Sequence, residues 1–480
     1  MIQARTRWIG ALGFLALNVA VRLPSLHQPI DRDLAAYATI GQQIGRGLVP
    51  YSDVFDHKQP LVYPVYWLLT TISSHSTEVI RIAASIVAGI AVSALFLFLS
   101  RRAHWSIAAA TAIFATFAGA SRYVEGVDLN TEHLLVLTGS LAILLSLSLA
   151  GGTRRAIPLL VGGAIGIAIL TKASGALLAP AALIPLIWGR KFQDRSMWRR
   201  IALFGTGMAI PIALTAGVFG LLGAWQEFFH ANITYNRVYV ASTPHESLAS
   251  WFDQPVIFQI LATAGVVAIF GRMLIAKKLD PVGVTCLLWL LGAFIGAELS
   301  NRGFPHYFAP LVIPTAMCLC LPFWNARDLR PTVAGTAVLL LATAPFAIDV
   351  SRTLHQTPDS LAVRMYGAQA TVWALQDEAG LFLRKRALPG DRLMVAESEP
   401  GFYWASGIRP ASRYIYDYPW QFEPGFMTQV AADLDPPPRF MVLPRGSLPP
   451  YMEPLSEHPY ELIHSIGSVQ IFELPQPAGG

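Results

Sequence analysis

The sequence predicts an α-helical polytopic membrane protein that ends in a small α/β domain. Three observations predict it. The 480 residues are 54% hydrophobic and only 14% charged, with a mean hydropathy of +0.47, whereas soluble domains carry about 25% charged residues. The apolar residues gather into runs suited to crossing ~30 Å of hydrocarbon, which takes a helix of about 20 residues. From about Ser351 onward the composition returns to that of a soluble domain. The net charge of +5 sits largely in short Arg/Lys clusters between apolar runs. That is a topology signal and not a nucleic-acid footprint, so no nucleic-acid partner is expected. Cys286, Cys318 and Cys320 fall inside apolar runs and read as small buried hydrophobes.

About eleven spans are expected, near residues 8–22, 80–100, 104–121, 133–150, 156–172, 174–189, 201–222, 255–271, 282–299, 306–323 and 331–349. The fourth to sixth are short or interrupted by Gly and Pro. With this set, Arg5/Arg7, Arg101/Arg102, Arg154/Arg155, the run "RKFQDRSMWRR", Arg272/Lys277/Lys278 and Arg327/Arg330 all fall on one side. The positive-inside rule makes that side cytoplasmic. The N-terminus is then inside, and the tail after Asp349 is outside the cytoplasmic membrane. "PLVYPVYWLLTTIS" (60–73) is apolar but too short to cross and holds a Pro, so it is expected to lie flat on the outer surface. Arg5 and Arg7 before an apolar core could begin a signal peptide; without a clear small-x-small site before Asp31, an uncleaved anchor is the better reading.

The division expected is 1–350 for the membrane domain, with a first outer loop at 23–79, and 351–480 for the extracytoplasmic domain. In that tail, 360–388 has helical period, "DRLMVAE" and "RFMVLP" read as strands, and "EPGFYWASG" reads as a short helix between them. "YELIHSIGSVQIFEL" reads as two strands around Gly467. It holds no phosphate-cradling glycine motif and no nucleophile elbow, and no chemistry is assigned to it.

Polar residues collect in the loops placed outside. The first loop carries Asp31, Asp33, Tyr37, Tyr51, Asp53, Asp56, His57 and Lys58. "SRYVEGVDLNTEH" carries Arg122, Glu125, Asp128, Asn130 and Glu132. "LTKASG" carries Lys172, and "LSNRGFPHYF" carries Arg302, His306 and Tyr307. Charges at the edge of hydrocarbon are costly unless paired, snorkelling or in a wet cavity. Acids and bases from distant loops at one membrane depth therefore suggest a shared cavity.

"DLAAYATIGQQIGRGLVPYSDVFDHKQPLVY" resembles the first outer loop of GT-C glycosyltransferases of the protein mannosyltransferase and lipid A aminoarabinose transferase group. Members there show an Asp-Glu pair followed by Tyr, a proline-tyrosine-aspartate turn, and a His/Asn-Lys-Pro-Pro motif. Asp33 and Tyr37 match the start, Pro50, Tyr51 and Asp53 the turn, and His57, Lys58 and Pro60 the end. Leu34 stands where the Glu is usual, and Gln59 replaces the first Pro. "DLNTEHLL", "RGFPHYFAPLVIP" and "EPGFYWASGIRPASRY" are similar to further stretches of the group.

The resemblance implies a polyprenyl-phosphate-linked sugar as donor, a protein, lipid or glycan acceptor at the outer leaflet, and inversion at the sugar carbon. Asp33 is then the candidate general base, on its match to the motif. A leaving phosphate also needs fixed cations in low dielectric. Lys58, Lys172, Arg302 and His306 are the candidates, with Asp31, Tyr37, Tyr51, His57, Glu132 and Tyr307 as supporting residues. No metal or other cofactor is expected, since the loops lack close ligand spacing, although some relatives use a divalent ion.

Each residue also has a plainer role open to it. Asp31 and Asp33 open an amphipathic helix with Leu34, Tyr37, Ile40, Ile44 and Leu48 on one face, expected to lie on the outer leaflet. For Asp31, capping that helix is the stronger reading. Lys58 could snorkel at an interface, and Glu132 could cap the fourth span or pair with Arg122. Glu125 and Asp128 read as loop charges. The competing function is a transporter or flippase of lipid-linked sugars. Transporters tend to hold substrate near the midplane between internal repeats; this chain concentrates charge at the outer ends and shows no evident duplication.

Overall fold

The computed structural model describes residues 2–152, 154–242, 256–276, 280–299, 302–326 and 328–475. Lys277, Lys278 and Arg327 of the basic clusters lie outside them. In chain order the first helices are α1 (Ile2–Ala20), α2 (Arg32–Gly45), α3 (Val62–Ile72), α4 (Thr77–Leu99), α5 (Trp105–Ala120), α6 (Thr131–Leu149), α7 (Ala156–Thr171), α8 (Ala179–Ile187) and α9 (Arg195–Leu221). Then come α10 (Trp225–Phe229), α11 (Asn236–Ala241), α12 (Val256–Ala276), α13 (Pro281–Glu298), α14 (Val312–Cys320) and α15 (Leu329–Ser351). The tail adds α16 (Pro358–Tyr366), α17 (Ala370–Trp373), α18 (Gln376–Arg386), α19 (Gly401–Ser406) and α20 (Phe426–Asp433). Its strands are β1 (Arg392–Val395), β2 (Arg409–Pro410), β3 (Phe440–Leu443), β4 (Glu461–Ile466) and β5 (Val469–Glu473).

Among the described residues, seven helical stretches are long and apolar enough to cross a membrane, at 4–25, 77–99, 131–149, 195–221, 281–298, 305–323 and 329–355. Helices α5 and α7 have 16 residues each. At 1.5 Å per residue each extends about 24 Å, less than the ~30 Å of an average hydrocarbon core. Helical segments nonetheless occupy all eleven stretches expected as spans.

The residues group into two compact units. One comprises 1–25, 81–217 and 243–356; the other comprises 26–80, 218–242 and 357–480. In the first, small and aromatic side chains of α4, α5, α6 and α14 form a continuous buried core that includes Leu95, Phe96, Ala108, Phe114 and Met317. Cys286, Cys318 and Cys320 are buried as free thiols, as their apolar surroundings imply. Arg22, at the end of the α1 stretch, is buried and donates to the carbonyls of Gly126 (2.7 Å) and Gly119 (2.7 Å). This clamp ties the 119–126 segment down. A Cβ on Gly126 would stand 2.1 Å from the Gly119 oxygen, a separation no side chain tolerates. Gly126→Ala should therefore lower the melting temperature of the purified protein by several degrees, and an unchanged transition would show that the segment relaxes freely.

In the second unit the expected first loop and the tail pack together. The tail is a five-stranded mixed sheet in the order β2-β1-β3-β5-β4, parallel across its first three strands. It runs antiparallel from β3 to β4, with β4 and β5 turning at Gly467. Strands β1, β3, β4 and β5 fall where the alternation put them, whereas the two-residue β2 was not expected. The helical period over 360–388 is instead divided into α16, α17 and α18, with Gly367 at φ +73° ending α16.

Helix α2 is not a surface helix. Every residue from Leu34 to Gln43 is buried, which corrects the expectation that it lies on the outer leaflet. One side packs so tightly on α3 that a Cβ on Gly41 would meet the Tyr66 backbone at 2.7 Å. Another meets the tail, where Gln42 donates to the Trp404 carbonyl (3.0 Å) and Thr39 to that of Pro400 (3.2 Å). A stripe of alanines and polar side chains, which hydropathy alone reads as a wet face, is covered by protein. Helix α3 has only 11 residues. Its Val62, Tyr63, Tyr66 and Leu69 are buried, whereas Trp67, Leu68 and Ile72 are exposed.

Candidate functional site

Asp31 caps α2. Its carboxylate accepts from the Leu34 N–H at 2.7 Å, the role its residue type favours at a helix start. The next acid, Asp33, stands in the first turn, where the helix dipole attracts negative charge. Its Oδ2 lies 3.1 Å from Lys58 Nζ, with the two side chains 30% and 19% exposed. A carboxylate and an ammonium separated by a long loop are thus in contact and still reachable by solvent.

The loop is stiff where it delivers Lys58. The Lys58 carbonyl accepts hydrogen bonds from the hydroxyls of Tyr51 (2.8 Å) and Tyr63 (3.3 Å). Tyr51 is fully buried at φ +70°, a left-handed conformation unusual for a bulky residue. The Arg413 guanidinium donates to its carbonyl, and the rings of Tyr63, Phe219 and Phe228 lie within 5.2–5.7 Å of its own. His57 packs on Tyr235 and Tyr239, and its carbonyl accepts from Asn236 at 2.9 Å. The neighbouring Asp56 accepts from the Tyr416 hydroxyl (2.6 Å) and the His57 N–H (2.7 Å). Burial pushes its carboxyl up, against the pull of Lys58 and these hydrogen bonds. Tyr37 is buried edge-on against Tyr66 at 5.4 Å.

The first unit holds its own chain of charges. Glu132 opens α6 and pairs with Lys172 at the end of α7. Lys172 Nζ stands 4.2 Å from the centre of the Tyr307 ring, a cation–π distance. Glu125 lies 2.5 Å from His306 Nδ1, and the other His306 nitrogen is 3.9 Å from Glu132. Glu125 itself sits at φ +48°, ψ +48°, a sparsely populated conformation that costs of order 1–3 kcal/mol and tends to mark functional sites. Arg302 is half-buried on the loop four residues before His306. Asn130, fully buried, has neither amide atom hydrogen-bonded.

Within the first unit, then, Lys172, His306, Tyr307 and Glu132 come together; within the second, Asp33 and Lys58 do. Some partners were missed. Glu132 does not pair with Arg122, which goes to Asp349 at 3.2 Å. Glu125 is the buried partner of His306 and not a loop charge. Asp128 is buried against Arg81. Arg81 stands inside an apolar span, a costly position and the one sequence signal that could have revealed this pair.

The tail carries a third ionic group. Buried Glu399 accepts from Trp373 Nε1 (2.8 Å) and from Arg445 (3.0 Å), and lies 3.8 Å from Arg32. Burial, aided by the Asp417 charge, raises its carboxyl to about 7 against the pull of Arg32 and the Trp373 hydrogen bond. With a folded value above the unfolded one, this group's contribution to stability is full below about pH 4.5 and is lost as pH rises through 7. Glu399→Gln should therefore flatten the fall in melting temperature between pH 5 and 8, and equal slopes for both proteins would count against it.

Superposition and sequence comparison define the class. The chain matches ArnT from Cupriavidus metallidurans bound to undecaprenyl phosphate with a TM-score of 0.66 at 15% identity, covering 98% of this chain and 99% of that one. An oligosaccharyltransferase of Archaeoglobus fulgidus gives a TM-score of 0.50 at 12% identity, covering 90% and 67%. The fold is that of ArnT. The finer likeness is carried by sequence. Residues 57–218 match the family model for dolichyl-phosphate-mannose-protein mannosyltransferase. A segment of 274 residues is 26% identical to undecaprenyl phosphate-alpha-4-amino-4-deoxy-L-arabinose arabinosyl transferase 2 of Pseudomonas fluorescens, covering 53% of this chain and 48% of that protein. The chain thus matches about half the length of this curated relative. It shares the ArnT fold over nearly its whole length, and part of its sequence is similar to an aminoarabinose transferase and to the mannosyltransferase family model.

Proposed function

We propose that this protein is a multi-pass glycosyltransferase of the cytoplasmic membrane that moves a sugar from a polyprenyl-phosphate donor to a lipid, glycan or protein acceptor on the outer face. The observation that carries this reading is the Asp33–Lys58 contact within the loop that resembles the first outer loop of such enzymes. The N-terminus is cytoplasmic and the tail extracytoplasmic, on the distribution of basic clusters.

The acceptor hydroxyl attacks the anomeric carbon as the bond from that carbon to the phosphate oxygen breaks. The leaving polyprenyl phosphate keeps the electron pair, and the hydroxyl proton passes to Asp33. An in-line displacement puts nucleophile and leaving oxygen on opposite sides of the anomeric carbon and inverts it. Donor entry therefore draws Lys58 Nζ away from Asp33 onto the phosphate, a motion that its flexible four-carbon stem allows. Lys172, Arg302 and His306 of the first unit are also proposed as donor-phosphate-binding residues. Lys172 and His306 would exchange part of their hold on Glu132 and Glu125 for the phosphate, while Tyr51 and Tyr63 fix the Lys58 backbone. These cations supply the charge that a divalent ion would otherwise provide, so no metal is required.

The test is sugar transfer by purified protein in vesicles loaded with polyprenyl-phosphate sugars and an envelope lipid extract. Labelled sugar should move to the acceptor fraction and remain undiminished by EDTA. Lipid translocation with no loss of sugar from its carrier would instead identify a transporter.

A further inference from the structure

A cavity of about 460 Å³ in the second unit lies at the opposite end of α2 from Asp33. Four arginines line it: Arg46 just past the end of α2, Arg384 on α18, Arg392 opening β1 and Arg409 opening β2. Parallel pairing sets Arg392 and Arg409 side by side on adjacent strands, and like charges in that position repel. Three of the guanidiniums are held by neutral acceptors. Arg46 donates to the Gly407 carbonyl, Arg384 to that of Ala405, and Arg392 to those of Asp433 and Pro436. These contacts aim the groups without cancelling their charge. The lining holds a single carboxylate, Asp391, which pairs with Arg439 at 2.8 Å. Asp377 couples electrostatically to Arg384 from the first turn of α18. Burial, and next the Arg409 charge, holds the Arg46 guanidinium below its usual range. Concentrated positive charge of this kind is relieved by a bound anion, and planar guanidiniums suit phosphate oxygens.

The surroundings indicate where that anion comes from. A Cβ on Gly45, next to Arg46 in the chain, would stand 3.7 Å from the Trp67 indole nitrogen, so α3 runs beside the Arg46 end of α2. Trp67, Leu68 and Ile72 of α3 are exposed, as is Leu388 on the cavity wall. An outward apolar face with a tryptophan beside clustered arginines has the composition of a membrane–water interface.

We propose that this cavity binds the phosphate of an anionic membrane lipid, with the exposed apolar face of α3 seated among the acyl chains beside it. The site is separate from the proposed transfer chemistry and does not depend on it.

Calorimetric titration of the full-length protein in neutral detergent micelles tests the proposal. The probes are short-chain phosphatidylglycerol, short-chain phosphatidylcholine and inorganic phosphate. Phosphatidylglycerol should bind, and Arg46→Gln/Arg409→Gln should weaken it at least tenfold. Arg409→Gln alone, a change at an exposed side chain, should weaken it severalfold. Lys58→Ala should leave this binding unchanged, which separates the site from the donor site. Trp67→Gln should weaken phosphatidylglycerol more than inorganic phosphate. Phosphatidylglycerol affinity indifferent to both arginine variants would overturn the proposal. So would equal affinity for phosphatidylcholine, or inorganic phosphate binding as tightly as the lipid.

Discussion

Asp33→Asn should lower turnover by about 10²–10⁴-fold, the usual worth of a positioned general base, while folding and donor affinity stay close to wild type. Folding survives because Asp33 is partly exposed and the cap of α2 belongs to Asp31, whose contact with the Leu34 N–H is untouched. Asparagine keeps the shape and still accepts a hydrogen bond from Lys58, but it takes no proton from an attacking hydroxyl. Donor affinity should hold or rise slightly, since Lys58 no longer leaves a carboxylate to reach the phosphate. Turnover and donor binding measured on one preparation check this. Retained turnover would remove Asp33 from the chemistry and move the base to another acid.

Lys172→Met should have the second large effect. It leaves the Glu132 carboxylate, only 3% exposed, with its ammonium partner gone, and breaking a buried pair from one side costs about 3–5 kcal/mol. Restoring charge balance with Lys172→Met/Glu132→Gln should recover most of that stability. If the pair were only structural, turnover would return with the melting temperature. If Lys172 helps to hold the departing phosphate, the double variant melts like wild type yet remains slow. The proposed function predicts the second result.

Much of this was legible in the sequence. Apolar runs and turn signals located the apolar helices and every tail strand except the two-residue β2, because burial imposes those periods directly. The Asp33–Lys58 pair was legible through a motif whose members are near one another in the chain. What escaped were pairs between distant elements. Glu125 and His306 are 181 residues apart, and nothing local distinguishes a glutamate in a wet loop from one held at φ +48° against a histidine. Arg122 and Glu132 are near neighbours of opposite charge and invite pairing, yet the fold gives them separate partners. The burial of α2 escaped for a related reason. Its alanines and glutamines look like a solvated face until Pro400 and Trp404 of the tail cover them, and that contact spans more than 350 residues.

Sugar transfer depends, in this account, on the carboxylate at the start of α2 and the lysine it touches. The most direct measurement is chromatographic quantification of free polyprenyl phosphate released from polyprenyl-phosphate sugar by the wild type, Asp33→Asn and Lys58→Ala side by side. Acceptor-dependent release by the wild type, and almost none by either variant, is the predicted result. Equal release by all three, or no release by the wild type from any carrier sugar while the lipid crosses the bilayer, would contradict it.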